Sequence, residues 1–553
     1  MLPEHGAACI VRWEFRQKKL RPKKTGATMA PAPPMPAASL KIVHNTYRDS
    51  VTLMQLSAKI AALAGVHEAS VVMATQGNLD LLREAGLLAG EVAVSPSDMV
   101  VVLRAESEAA AGAALAQAER LLAGGDGPAA DRGGPKELPP RSIQMALAAH
   151  PDANLALIST PGEYAAAEAL KALRLGLHVM LFSDNVALAD EVMLKREAGE
   201  RGLILMGPDC GTAIVRGVPL GFANAVRRGP IGVIGASGTG LQQVTSLIDQ
   251  AGLGVSHALG TGGRDLKAEV GGATMLRALD ELAADPETRV IVLVSKPPAR
   301  EVADKVLARA RATGKPVIAC FLGADAASIE GDGVLAAATL EDAAAMALAA
   351  ARGIPFAGAV PRLPEYDVSR LTPGQRFVRG LYSGGTFCYE ATLLLAQTLE
   401  GVYSNTPVGA AADLEDVWRS RGHTLVDLGD DEFTRGRPHP MIDHRLRNER
   451  MAREAADAEV AVILFDVVLG YGAHPDPGAE MLPAIRAARD AARRDKRELV
   501  FVGFVCGTER DPQGLARQVA ALREAGVILA VSNAQAARTA AAIANRHGAA
   551  RRS

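Results

Sequence analysis

Only 4% of the 553 residues are Phe, Trp or Tyr, too few for the stacking platforms that hold single-stranded nucleic acid. Neither sign of charge prevails: 60 Lys and Arg against 62 Asp and Glu leave a formal net charge of −2. No overall field therefore draws nucleic acid or an anionic membrane. Apolar runs stop short of the roughly 18 residues a membrane-spanning helix needs. The five cysteines (Cys9, Cys210, Cys320, Cys388 and Cys506) are odd in number, scattered and never spaced CxxC. That excludes a disulfide framework and a zinc knuckle, and implies a reducing, cytoplasmic compartment. What the chain has in quantity is small and apolar: 55 glycines and 48% hydrophobic residues. Such a composition suits close helix–strand packing and backbone loops that approach ligands. The length predicts about three to five domains, at roughly 100–200 residues each.

Residues 1–38 form a basic, Pro-rich segment that reads as a disordered tail, with Met29 and Met35 as alternative starts. It lacks the apolar stretch of a secretory signal. Residues 39–123 alternate strand and helix patterns and predict a small α/β sandwich, ferredoxin-like in type. A Gly/Pro-rich linker follows at 124–140. Short apolar runs separated by helical patterns then predict doubly wound, mostly parallel Rossmann- and flavodoxin-like sheets. The expected divisions are 141–229, 230–352, a second Pro-rich linker at 353–371, and 372–548.

In open parallel sheets, ligands bind beyond the carboxyl ends of strands, where helix N-termini present free amides. The sharpest such turn is Ile231–Gly235 running into Ala236-Ser237-Gly238-Thr239-Gly240 and a helix. No Lys follows the last glycine, so it is not a Walker A loop. A second strand enters Ser383-Gly384-Gly385-Thr386 and another helix. Two such turns in separate domains predict two helix N-termini around one anion. Gly260–Asp265 supplies Arg264, able to pair with phosphate or carboxylate, and Gly207-Pro208-Asp209-Cys210 makes a further tight turn. With no basic neighbour in sequence, Cys210 reads as an inert thiol. Arg435-Gly436-Arg437-Pro438-His439 and Gly470–Asp476, with His474, gather groups able to bind carboxylates or move protons. No metal-ligand spacing accompanies them.

From about Leu155 onward, these motifs in this order resemble the succinyl-CoA synthetase superfamily, most closely its FdrA branch. Gly207–Gly211 is similar to that superfamily's GPN-type turn, and Gly232–Thr239 to its phosphate-binding helix start. The resemblance implies a CoA-binding-like Rossmann domain at 141–229 and ligase-CoA-like domains at 230–352 and 372–548. It also implies partner subunits. The chain departs from nucleotide-dependent members in three respects. The loop after Val317–Phe321 has no phosphate-carrying histidine, since no His lies between His257 and His423. The CoA-cradling turn is not found before Leu155, and no ATP-grasp domain is recognisable.

A phosphate held without a histidine carrier must itself attack, or leave, an acyl-type carbon. The FdrA resemblance thus implies phosphate-dependent carbamoyl transfer, in which oxalurate and phosphate give oxamate and carbamoyl phosphate during allantoin and purine breakdown. On that reading Ser237, Gly238, Thr239, Gly240, Ser383, Gly384, Gly385 and Thr386 hold phosphate. Arg264, Arg437 and Asp209 meet the substrate, and His474 or His439 supplies a proton. Inorganic phosphate and carbamoyl phosphate are the substrates, and no further cofactor or metal is required. Two alternatives stand: a subunit of an ADP- or GDP-forming acyl-CoA synthetase whose CoA and ATP sites lie on another chain, and a non-catalytic phosphate-binding scaffold.

Overall fold

The computed structural model describes residues 38–90, 92–123, 140–356, 358, 363–435 and 437–550. All of the expected tail but Ala38, which opens the first strand, and all of the first linker but Pro140 lie outside the described residues.

The first unit is a three-stranded sheet with Met99–Ala105 at its centre, antiparallel to Ala38–Val43 on one side and Val66–Met73 on the other. Helices Ser50–Ala61 and Glu108–Ala123 pack on it, burying Ile60, Val101, Leu103 and Ala118. This is the expected α/β sandwich, with three strands.

A three-stranded parallel sheet follows, ordered Leu155–Ile158, His178–Leu181, Leu205–Met206. The next sheet has seven strands, in the order 334–336, 317–321, 290–295, 231–235, 255–260, 212–215, 218–221. All are parallel except the hairpin Thr212–Val215/Val218–Gly221 at its edge. The division expected at 229/230 therefore cuts through a sheet, because the hairpin belongs with the strands that follow it. That hairpin escapes the sequence pattern because its turn is Arg216-Gly217, both at positive φ (50° and 84°), and Arg is not a usual turn residue there.

The last sheet is also seven-stranded and fully parallel, ordered 412–413, 402–404, 423–427, 377–382, 460–468, 500–506, 528–530. The strand beside its central one, Val460–Val468, is buried along its whole length, as a strand covered on both faces must be.

The two large sheets share one core. Gly238–Gln250 and Leu340–Arg352 from one lobe pack with Gly385–Ala396 and Asn533–Ala550 from the other. The shared apolar cluster joins Val233, Leu241 and Val292 to Phe387, Val462 and Phe504. Alanines such as Ala343, Ala347, Ala537 and Ala540 line this layer, which lets the helices approach closely. Each lobe contributes a helix that begins at the carboxyl end of a central strand, so both N-termini emerge on the same seam.

Candidate functional site

At the first turn Ser237 is the N-cap of helix Gly238–Gln250, and its hydroxyl accepts from the Gly240 amide at 2.9 Å. At the second, Gly384 is the N-cap of Gly385–Ala396. The starts meet across the lobes: Ser237 Oγ lies 2.6 Å from Thr386 Oγ1. The second turn's backbone also lies against a side chain of the first, since a Cβ on Gly384 would stand 3.0 Å from Thr239 Cγ2. The amides of Gly238, Thr239, Gly385 and Thr386 are the opening ones of their helices and have no intrahelical acceptor. Two partial positive charges thus converge beside a hydroxyl pair.

Not all of the second turn faces this point. Asp466, at 0% side-chain exposure, accepts from the Ser383 amide (2.8 Å), the Ser383 hydroxyl (2.8 Å) and the Gly384 amide (2.9 Å). Arg447, equally buried, pairs with the same carboxylate at 2.7 Å. The expectation that Ser383 and Gly384 hold phosphate is corrected: a carboxylate of the chain already fills their half of the nest.

Asp427 sits under the second helix start. A Cβ on Gly385 would be 2.5 Å from its Oδ2, and Gly429 donates its amide to Oδ1 at 2.9 Å. Burial pushes its carboxyl up to about 7, against the pull of the Gly429 amide and the Lys296 charge. His439 is adjacent: the Cβ position of Gly429 lies 2.8 Å from His439 Nε2, 3.0 Å from the Ser383 carbonyl and 3.2 Å from Asp427 Oδ1. His439 Nδ1 accepts from the Met441 amide at 3.2 Å, which leaves the proton of the neutral ring on Nε2. Burial, then the Arg447 charge, lowers its pKa to about 4, so the ring is uncharged at neutral pH.

The other expected site residues lie elsewhere. His474 Nδ1 accepts from the Asp476 amide at 3.1 Å, and its ring lies 5.4 Å from that of His444. Asp476 turns its carboxylate to Arg517 and Gln518, so the two do not form an acid–base pair. Arg264 is tied to Glu191 at 2.9 Å and to the Val186 carbonyl at 2.8 Å. Glu191 and Asp265 also hold buried Lys195, so this group braces the 260–265 loop. Arg437 reaches Glu68 of the N-terminal unit at 3.3 Å. Asp209 faces the 260–265 loop, its Oδ2 lying 3.7 Å from the Cβ position of Gly263. Although solvent reaches it, desolvation by the surrounding protein, then the charges of Asp184 and Asp431, push its carboxyl up to about 6. Burial pushes the Cys210 thiol up to about 12, in keeping with an inert group.

Two residues that sequence reasoning missed belong to the site. Asp427 ends an apolar strand, where a lone Asp looks like an ordinary turn residue. Lys296 follows strand Val290–Ser295 in a Lys-Pro-Pro run, and nothing in its neighbourhood marks it as special.

Three family models match the chain. A CoA-ligase model covers residues 381–543, a CoA-binding-domain model 226–323, and a model described as the AllF heavy metal-associated domain 35–137. The uncharacterized protein YahF of Escherichia coli (strain K12) is 43% identical over 502 residues, 90% of this chain and 96% of its own length. The chain belongs to the FdrA family, within the succinyl-CoA synthetase superfamily. The mitochondrial succinate–CoA ligase [ADP-forming] subunit alpha-2 of Trichomonas vaginalis is 33% identical over 183 residues, which is 32% of this chain and 58% of that subunit. This FdrA-family chain thus spans little more than half of that relative. The structure of the dinucleotide-forming acetyl-coenzyme A synthetase 1 of Ca. Korarchaeum cryptofilum with phosphate and ADP aligns over 72% of this chain and 83% of its own, at 15% identity and a TM-score of 0.30.

The CoA-binding model falls on the segment holding the 235–240 turn and takes in only the last four residues of 141–229, where the resemblance had implied a CoA-binding-like domain. The heavy-metal model does not agree with the residues present. Residues 35–137 contain no cysteine, and their only imidazoles are His44 and His67. His44 Nδ1 lies 3.2 Å from Asp98, whose carboxylate is taken up by the Asn45 and Ser95 amides. Among the described residues, no group of three or more His, Cys, Asp or Glu is placed to hold a metal ion. No helix of the described chain is long and apolar enough to cross a membrane.

Proposed function

We propose that this chain is the FdrA-type subunit of a phosphate-dependent carbamoyltransferase that converts oxalurate and phosphate to oxamate and carbamoyl phosphate. The observation that supports it is the 2.6 Å contact between Ser237 and Thr386, which unites two helix starts at one point. The opening amides of both helices, with the Ser237 and Thr386 hydroxyls beside them, hold the phosphate dianion and spread its charge. A phosphate oxygen attacks the carbamoyl carbon, and the bond from that carbon to the imide nitrogen breaks. The departing nitrogen needs a proton. Asp427, with its carboxyl near pKa 7, is half protonated at neutral pH and supplies it. The phosphate hydroxyl proton then restores Asp427. His439, neutral in this environment, donates a hydrogen bond from Nε2 in place of the proton transfer first expected of it.

A second reading, an acyl-CoA synthetase subunit, is favoured by the CoA-binding model on 226–323. In that case the Gly238 and Thr239 amides hold a CoA phosphate, and CoA supplies the thiol that accepts the acyl group. Under both readings the missing parts of the machinery belong to partner subunits.

The test is to supply oxalurate and phosphate to the purified chain with its co-purifying subunits, and to measure carbamoyl phosphate without CoA. The expected result is turnover that Ser237→Val combined with Thr386→Val lowers by about two orders of magnitude or more, the scale of losing oxyanion donors. Product that forms only when CoA is added selects the synthetase. Undiminished turnover in the double variant removes phosphate from this seam.

A further inference from the structure

Phosphate accounts for one of the two anions the proposed reaction brings together. The other is the carboxylate of the oxamoyl half, and the two arginines expected to receive it are engaged, Arg264 with Glu191 and Arg437 with Glu68. The remaining arginines near the seam are engaged too: Arg447 with Asp466 and Arg445 with Asp443. Lys296 differs from all of these. It is exposed, and it enters no ion pair among the described residues.

Its position follows from both lobes. Strand Val290–Ser295 lies beside Ile231–Gly235, and Val294 accepts the Ala236 amide at 3.0 Å. A Cβ on Gly240 would meet Val294 at 2.8 Å, so the strand end packs against the first turn itself. Lys296 is two residues further on. From the other lobe comes Tyr389, three residues after Thr386 and so on the same face of its helix. Lys296 Nζ lies 4.9 Å from the centre of the Tyr389 ring. The lysine is therefore held between the two helix starts by a backbone strand on one side and an aromatic face on the other. Its charge also reaches Asp427.

The geometry points to Lys296 as the binding site for the substrate's carboxylate, a subsite separate from the amides that hold phosphate. This rests on the anion site described under the proposed function, and it serves any carboxylate-bearing acyl or carbamoyl donor. The arrangement places an exposed point charge on the seam beside the fixed amides. Substrate orientation follows: the carboxylate end faces Lys296 and the carbamoyl end faces phosphate.

Calorimetric titration of the full-length chain with oxamate and, separately, with inorganic phosphate tests this. Lys296→Gln should weaken oxamate binding by about tenfold or more, the effect of losing one charge-assisted contact, and leave phosphate affinity within about threefold. Lys296→Arg should retain part of the oxamate affinity. Wild-type protein that does not bind oxamate, oxamate affinity unchanged in Lys296→Gln, or an equal loss for both anions would each overturn the assignment. If oxamate binding follows Lys296 but oxalurate is not cleaved by phosphate, the carboxylate subsite stands and the carbamoyltransferase reading falls.

Discussion

Replacing Asp466 by Asn probes why the second helix start is where it is. The carboxylate accepts two amides and one hydroxyl from the Ser383–Gly384 turn and one guanidinium contact from Arg447. Both partners have 0% side-chain exposure. Asn keeps the shape but removes the charge, and one of its two polar ends becomes a donor facing donors. Arg447 is then a buried cation without a counter-ion. Breaking such a pair from one side costs about 3–5 kcal/mol. For a domain of this size, roughly 2–4 °C of melting temperature accompanies each kcal/mol. The transition of the C-terminal domain should therefore fall by roughly 6–20 °C in differential scanning calorimetry. Adding Arg447→Met removes the stranded charge, so the double variant should recover a substantial part of the loss. A fall of less than about 2 °C for Asp466→Asn would refute the claim that this ion pair braces the turn, and would reopen Ser383 and Gly384 as ligand donors.

Asp427 gives a pH-dependent prediction. Its folded pKa of about 7 lies above the ordinary carboxylate value of 3.8, so the folded chain holds a proton that the unfolded chain has lost between about pH 4 and 7. Its contribution to stability is thus present at acid pH and lost as pH rises through 7. Asp427→Asn should raise the urea midpoint relative to wild type more at pH 8 than at pH 5, and least at pH 4, with about 4 kcal/mol as the upper bound of the pH-dependent gain. An equal effect at both pH values would contradict the assignment. Gly384→Ala places a Cβ 2.6 Å from Phe387 and 3.0 Å from Thr239, pushing the helix starts apart. Carbamoyl phosphate formation should fall at least about tenfold, against a modest stability loss of about 1–3 kcal/mol, and normal turnover would show that the close approach is dispensable. Arg437→Ala removes an exposed ion pair worth at most about 1 kcal/mol, so the KM for oxalurate should stay within about twofold. A tenfold rise would return Arg437 to the substrate site.

Local pattern alone determined a great deal about this protein. Apolar runs such as Val290–Val294, Val317–Phe321 and Val460–Phe465 are long enough and branched enough to be strands only, and each proved to be one. The glycine-rich turns at 237–240 and 383–386 were equally legible, because a strand that enters a helix through Ser and Gly has few conformations available. Tertiary structure alone decided which groups share a point in space. Ser237 and Thr386 touch because a layer of Ala-rich helices locks two sheets together, and their 149-residue separation in the chain carries no trace of that. The same packing turned Ser383 inward to Asp466, drew Arg264 to Glu191, and left Lys296 and Asp427 on the seam. Charged side chains look alike in sequence. What separates a ligand-binding cation from a structural one is whether the fold has already given it a partner, and partners come from distant segments.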